Sequence, residues 1–161
     1  MKIGITGHQK IDHPENWAWV ERTLQEILAQ FEPPLIGLSC LASGADQVFA
    51  RTVLDIGGQL QAVLPFPGYE DVFQGEARFD YLDLLADSTN TICLERTSES
   101  DEEAYWLAGK AVVEHCDVLI AVWDGMPAEG LGGTGDVVSL AIQEKRRVIQ
   151  LNPDTQTVER F

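Results

Sequence analysis

The sequence predicts an open, doubly wound α/β sheet, mostly parallel, within a single domain. Short, nearly all-apolar runs recur along the chain, with helical patterns between them. Strands covered by helices on both faces read in this way. The chain has 161 residues, 45% of them hydrophobic, which suits one compact domain with a real core. Right-handed crossovers between such strands give a Rossmann-like sheet. In that architecture ligands sit at the carboxyl ends of the strands, near the point where strand order reverses.

Each element has its own signal. Residues 3–6 form a short apolar run that ends at Gly7 and reads as a buried strand. Residues 14–30 are helical, with Trp17, Val20, Leu24, Ile27, Leu28 and Phe31 on one stripe, and Pro33 and Pro34 stop the helix. Residues 35–41 are a second apolar run. Residues 46–56 read as a helix closed by Gly57 and Gly58. Residues 60–64 predict a third strand, cut by Pro65 and Pro67. Residues 70–86 hold one or two helices, and residues 91–94 a short strand. Residues 95–103 are acidic and polar, as in a solvated loop running into a helix. That helix covers 102–115. Residues 117–123 are the strongest strand pattern, followed by a helix at 137–145 and a last strand at 148–151. The domain is expected to span 1–152, with 153–161 as a surface C-terminal tail.

Charge and cysteine usage narrow the setting. Eleven Lys and Arg against 26 Asp and Glu leave a formal charge of −15. That balance argues against a nucleic-acid backbone and against an anionic membrane surface as partners. No apolar stretch reaches the roughly 18 residues that a membrane span needs. Cys40, Cys93 and Cys116 lie far apart, and with no signal peptide evident they point to a reducing, cytoplasmic setting.

Four strand-to-helix loops should open on one sheet edge. In the first, Gly7 permits close backbone approach, while Thr6, His8 and Gln9 offer hydrogen-bonding groups. In the second, Ser43, Gly44 and Asp46 open a helix. Ser43 and Asp46 have capping-box spacing, and a helix start also holds anions. In the third, Phe66 and Tyr69 either flank a flat ring such as a nucleobase or close the core. The fourth is the most specific. Asp124 ends the strongest strand, and Gly132, Gly133, Thr134 and Gly135 lead into a helix. Three glycines around one Thr at a helix start form a phosphate-binding loop with converging amides and no side chains in the way. It is neither a Walker motif nor a GxGxxG fingerprint. Asp46, Asp124 and Asp136 sit on separate loops and suit ribose contact better than a metal cluster, so no metal and no required cofactor is expected.

The motifs GITGHQ, SCLASGADQVFA, CDVLIAVWDG and LGGTGDVVSLA, in this order over residues 1–152, resemble the SLOG superfamily of Rossmann-like nucleotide-binding proteins. That group includes the LOG-type (lysine-decarboxylase-like) phosphoribohydrolases and DNA-processing protein A. The resemblance implies a nucleotide or nucleotide-derived ligand, a nucleoside monophosphate or an ADP-ribose-like molecule, bound by a sensor or regulatory module. It places phosphate contacts on Gly132, Gly133, Thr134 and Gly135, with further contacts from Gly7, His8, Ser43, Gly44 and Asp46. It also implies a homo-oligomer. The LOG enzymes carry PGGxGTxxE, whereas this chain has Ser139 at the place of the Glu and lacks their Arg-containing signature. Catalytic residues are therefore unassigned. The alternatives are an N-glycosidase acting on nucleotides and a carrier of a pterin-type cofactor.

Overall fold

The computed structural model describes all residues, 1–161. Seven strands form one sheet: β1 (Lys2–Gly7), β2 (Ile36–Ser39), β3 (Gln59–Leu64), β4 (Asn90–Cys93), β5 (Val118–Val122), β6 (Arg147–Asn152) and β7 (Thr157–Arg160). Their order across the sheet is β4-β3-β2-β1-β5-β6-β7. Strands β1 to β6 run parallel, and β7 is antiparallel to β6. The helices are α1 (Trp17–Leu28), α2 (Ala45–Asp55), α3 (Gly75–Asp87), α4 (Asp101–His115) and α5 (Thr134–Gln143).

Strand periodicity explains the layering. Successive side chains of a strand face opposite ways. In β5, Val118, Ile120 and Val122 join Val20, Leu24 and Ile27 of α1 and Phe49 and Val53 of α2 in one buried cluster. Leu119 and Ala121 face the other way, toward Val112 and Val113 of α4 and Val137, Val138 and Ala141 of α5. A third cluster lies under α3, where Tyr81 and Leu84 meet Leu60, Ala62, Phe66, Tyr69 and Phe73. All five residues of β5 are buried, which is why its sequence pattern is the strongest.

Strand order reverses beside β1. The chain steps outward through β2, β3 and β4, then returns to the other side of β1 as β5. The loops after β1 and β5 therefore part from each other, and a crevice opens between them.

Residues 70–86, expected to hold one or two helices, form a 3-10 turn, Tyr69–Val72, and α3. Two details depart from the sequence reading. Helix α5 begins at Thr134, three residues before the expected start, so the Thr-Gly pair lies inside its first turn. The expected tail at 153–161 is corrected: residues Thr157–Arg160 are edge strand β7, paired to β6 through Ile149 and Arg160 at one end and Asn152 and Thr157 at the other. No helix is long and apolar enough to cross a membrane.

Candidate functional site

The four loops enclose a cleft of about 810 Å³ at the carboxyl edge of the sheet. That volume lies within the range of small-molecule sites. Gly7 and His8 line it from the loop after β1, Ser43 and Asp46 from the loop after β2, Tyr69 from the loop after β3, and Asp124 and Gly132, Gly133, Thr134 and Gly135 from the loop after β5.

The start of α5 is organised as the sequence suggests. Gly132 has φ +81°, and a Cβ there would lie 2.9 Å from the Trp106 backbone, so only glycine fits. The Asp136 carboxylate folds back to accept from the Gly132 N–H at 3.1 Å, and the Asp136 N–H donates to the Gly133 carbonyl. This cap leaves the Thr134 and Gly135 N–H groups and the Thr134 hydroxyl without partners in the chain. Thr134 and Gly135 line the cleft at the positive end of a ten-residue helix. Gly133 and Gly135 pack against the 126–128 segment, where their Cβ atoms would come within 2.7 Å of Ala128 Cβ and 3.1 Å of Ala128 N.

The loop after β2 differs from its reading. No side chain caps α2, and the cap residue is Gly44, so the Ser43–Asp46 capping box does not form. Asp46 instead turns toward the end of β2, accepting from Ser39 Oγ at 3.0 Å and from the Cys40 N–H at 2.8 Å. It is buried, and desolvation raises its pKa to about 6 against the opposing pull of those hydrogen bonds. Asp46 is thus a staple for the loop at the cleft floor, not a free hook for ribose. Ser43 keeps its hydroxyl unengaged at the cleft wall.

Gly44 does not line the cleft. It sits where α2 meets the loop after β1, with φ +85°, and a Cβ there would lie 2.6 Å from the His8 carbonyl oxygen. The same carbonyl accepts from the Ala45 N–H, so the start of α2 is tied to the first loop and is less free for anions than that of α5. Gly44→Ala combines positive-φ strain with this overlap, each worth about 1–3 kcal/mol. The expected result is a melting point lower by about 5–15 °C in thermal unfolding.

One pairing had no signal in the sequence. His8 Nε2 lies 3.4 Å from Asp124 Oδ1, and both side chains are about one third exposed, at 32% and 33%. The Asp124 N–H also faces Nε2 at 3.5 Å. Asp124 Oδ1 accepts from the Met126 N–H at 2.9 Å, which fixes the carboxylate. The two residues are 116 positions apart and meet only because β1 and β5 are neighbours.

Phe66 is corrected as a base-stacking residue. It is buried, absent from the cleft wall, and its ring face carries the Arg96 guanidinium 4.0 Å away. Its other neighbours are Tyr69 and Tyr105. Tyr69 does reach the cleft, although it is only 4% exposed and is held edge-on by Phe73 and Tyr81. Burial pushes the Tyr69 hydroxyl and the nearby Cys40 thiol up, so both are neutral donors at this wall. The fourth loop adds Trp123, whose indole donates to the Met126 carbonyl.

Asp46, Asp124 and Asp136 do not converge: Asp46 lies on α2, Asp124 and Asp136 lie at opposite ends of the connection from β5 into α5, and each carboxylate has its own partners. At the place of the LOG glutamate, the Ser139 hydroxyl donates to the Gly135 carbonyl of its own helix and offers no acid to the cleft.

A doubly wound α/β sheet, a cleft where strand order reverses and a glycine-rich helix start place the chain in the Rossmann-like class of folds. The solved structures narrow the fold further. DNA processing protein A from Streptococcus pneumoniae matches at 20% identity and TM-score 0.65, over 94% of this chain and 50% of that one. DNA processing protein A from Helicobacter pylori, described for its single-stranded DNA binding mode, matches at 13% identity and TM-score 0.67, over 94% and 65%. The molybdenum cofactor carrier protein of Chlamydomonas reinhardtii matches at 20% identity and TM-score 0.57, over 95% and 78%. The chain shares its Rossmann-like fold with these proteins, the fold that the four motifs lead one to expect. The chain spans half to two thirds of the DNA-processing proteins, and at these identities the likeness is one of fold. No family model and no curated protein matches the sequence.

These matches correct one expectation. The charge balance argues against nucleic acid as a partner, yet a protein of this same fold is described as binding single-stranded DNA. A formal charge of −15 summed over the chain does not describe the surface around one cleft, so the exclusion is withdrawn.

Proposed function

We propose that the cleft binds a nucleotide or nucleotide-derived ligand through its phosphate. The observation that carries this reading is the first turn of α5, with two unpartnered amides and a free hydroxyl on residues that line a built cleft. Phosphate meets Thr134 and Gly135, and Ser43 supplies a further hydroxyl. Asp124 accepts from ribose hydroxyls, and Tyr69 borders the base. Lys10 is the one Lys or Arg on the wall, against Asp46, Asp124 and Glu129. Backbone dipoles, not side-chain cations, therefore carry the anion.

A pterin-type carrier is the second reading. It draws support from the size of the cleft, about 810 Å³, and from the fold shared with a molybdenum cofactor carrier. Thermal unfolding with nucleoside mono-, di- and triphosphates, ADP-ribose, NAD and a pterin separates the two. A ligand at about 100 times its dissociation constant adds roughly 2.7 kcal/mol, or about 5–10 °C at this chain length. A shift with a nucleotide upholds the first reading. A shift with the pterin alone upholds the second. No shift with any of them in folded, empty protein overturns both at ordinary affinities.

A further inference from the structure

The His8–Asp124 pair borders the cleft and is left unused by backbone anion binding. We propose that His8 is the charge-adjustable contact of this site, so that the cleft takes up an anion together with a proton. The inference rests on the reading above and adds to it a pH dependence.

His8 Nε2 has two neighbours, the Asp124 carboxylate at 3.4 Å and the Asp124 N–H at 3.5 Å. Nδ1 has no partner in the chain, and the ring is about one third exposed on the cleft wall. A neutral imidazole carries one N–H. With that proton on Nε2, the ring faces the Asp124 carboxylate at 3.4 Å but gives up the bond from the Asp124 N–H, and Nδ1 presents a lone pair that repels an anion. With the proton on Nδ1, the ring can donate to an anion, and Nε2 then accepts from the Asp124 N–H and leaves the carboxylate with the Met126 N–H as its one partner. Only the imidazolium donates to Asp124 and to an anion at once. An anion at Nδ1 therefore stabilises the charged ring, and by linkage the charged ring binds the anion more tightly.

The surroundings permit this coupling. Asp124 is locked by the Met126 N–H, so it stays in place while the ring changes charge. The Met126 carbonyl lies against Gly135 in the first turn of α5, so the pair and the helix start share one wall. The other titratable groups on the cleft are Lys10 on the same loop as His8, Cys40 at the end of β2, Asp46 on α2, Tyr69, Tyr105 on α4 and Glu129 before α5. Asp46 titrates near pH 6 and adds its own pH dependence, so the test must read His8 directly.

Sulfate is the probe, because it remains a dianion across the whole range and its own titration does not intrude. Side-chain NMR of the full chain follows the His8 ring from pH 5 to 9, with and without sulfate and at matched ionic strength. His13 and His115 serve as internal references. The expected result is a His8 midpoint raised by at least half a unit in sulfate, with the references unmoved. Sulfate affinity, read from the Thr134 and Gly135 amides, falls about two- to threefold between pH 6 and 8 for a half-unit shift, and further for a larger one. In His8→Gln the amides still respond, and the His8-linked part of that fall disappears. Amide shifts at Thr134 and Gly135 with an unmoved His8 midpoint overturn the inference and leave the phosphate seat standing. A raised midpoint without amide shifts upholds the proton uptake and overturns the α5 seat. No response at either place overturns both.

Discussion

Thr134→Asp should abolish ligand binding and leave the fold intact. Position 134 is the first residue of α5, where an acid interacts favourably with the helix dipole by about 0.3–1 kcal/mol. The native stability should therefore hold to within about 1 kcal/mol. The same carboxylate would stand where the ligand phosphate meets the Thr134 and Gly135 amides. Like charges placed together cost several kcal/mol, and about 2.7 kcal/mol already lowers affinity a hundredfold. A binding titration beside a urea melt separates the two effects. Loss of affinity with a native melt supports the α5 seat. Unchanged affinity places the ligand elsewhere. Most substitutions that block a site also disturb the fold, and this one divides the two because helix electrostatics and ligand electrostatics have opposite signs.

Asp46→Asn should change how stability depends on pH. The folded pKa of Asp46 is raised from 3.8 to about 6 by burial. Between these values the folded chain binds the proton more tightly than the unfolded chain. Stability from this group is complete below pH 3.8 and is lost as pH rises through about 6. A shift of this size corresponds to about 3 kcal/mol at neutral pH. Asparagine carries no charge to desolvate, and its carbonyl can still accept from Ser39 Oγ or the Cys40 N–H. The native protein should lose about 2 kcal/mol relative to Asp46→Asn as pH rises from 4 to 7, most of the full effect. The surplus acidic charge slopes in the same direction in both proteins, so the difference between their denaturation curves is the quantity to read. Parallel curves would show that Asp46 is ionised at no cost.

What the sequence disclosed, and what it withheld, follows from where each signal arises. Strands β1, β2, β3, β5 and β6 are buried enough for apolar runs to mark them, and the glycine-rich start of α5 is a local pattern. Strand β7 is a four-residue edge strand with mostly exposed residues, so Thr157, Val158, Glu159 and Arg160 carry no such run. The Ser43–Asp46 spacing suggested a cap, but Asp46 had a better partner seven positions away in Ser39, at the end of β2. Local spacing cannot reveal that competition. Phe66 looked available because it lies between two prolines, and Arg96, thirty positions on, covers its ring. The His8–Asp124 pair depends on β1 lying next to β5, a matter of strand order that no local pattern encodes.

The central claim is that a phosphorylated ligand sits on the first turn of α5. Backbone amide NMR, with the ligand that raises the melting point most, tests it directly. The account predicts that Thr134 and Gly135 shift furthest, with His8 and Ser43 next, and that Gly57 and the Lys145–Arg146 turn at the opposite edge stay still. Shifts centred on the shallow hollow beside Trp17, Arg51 and Gly44, with Thr134 and Gly135 unmoved, would contradict it.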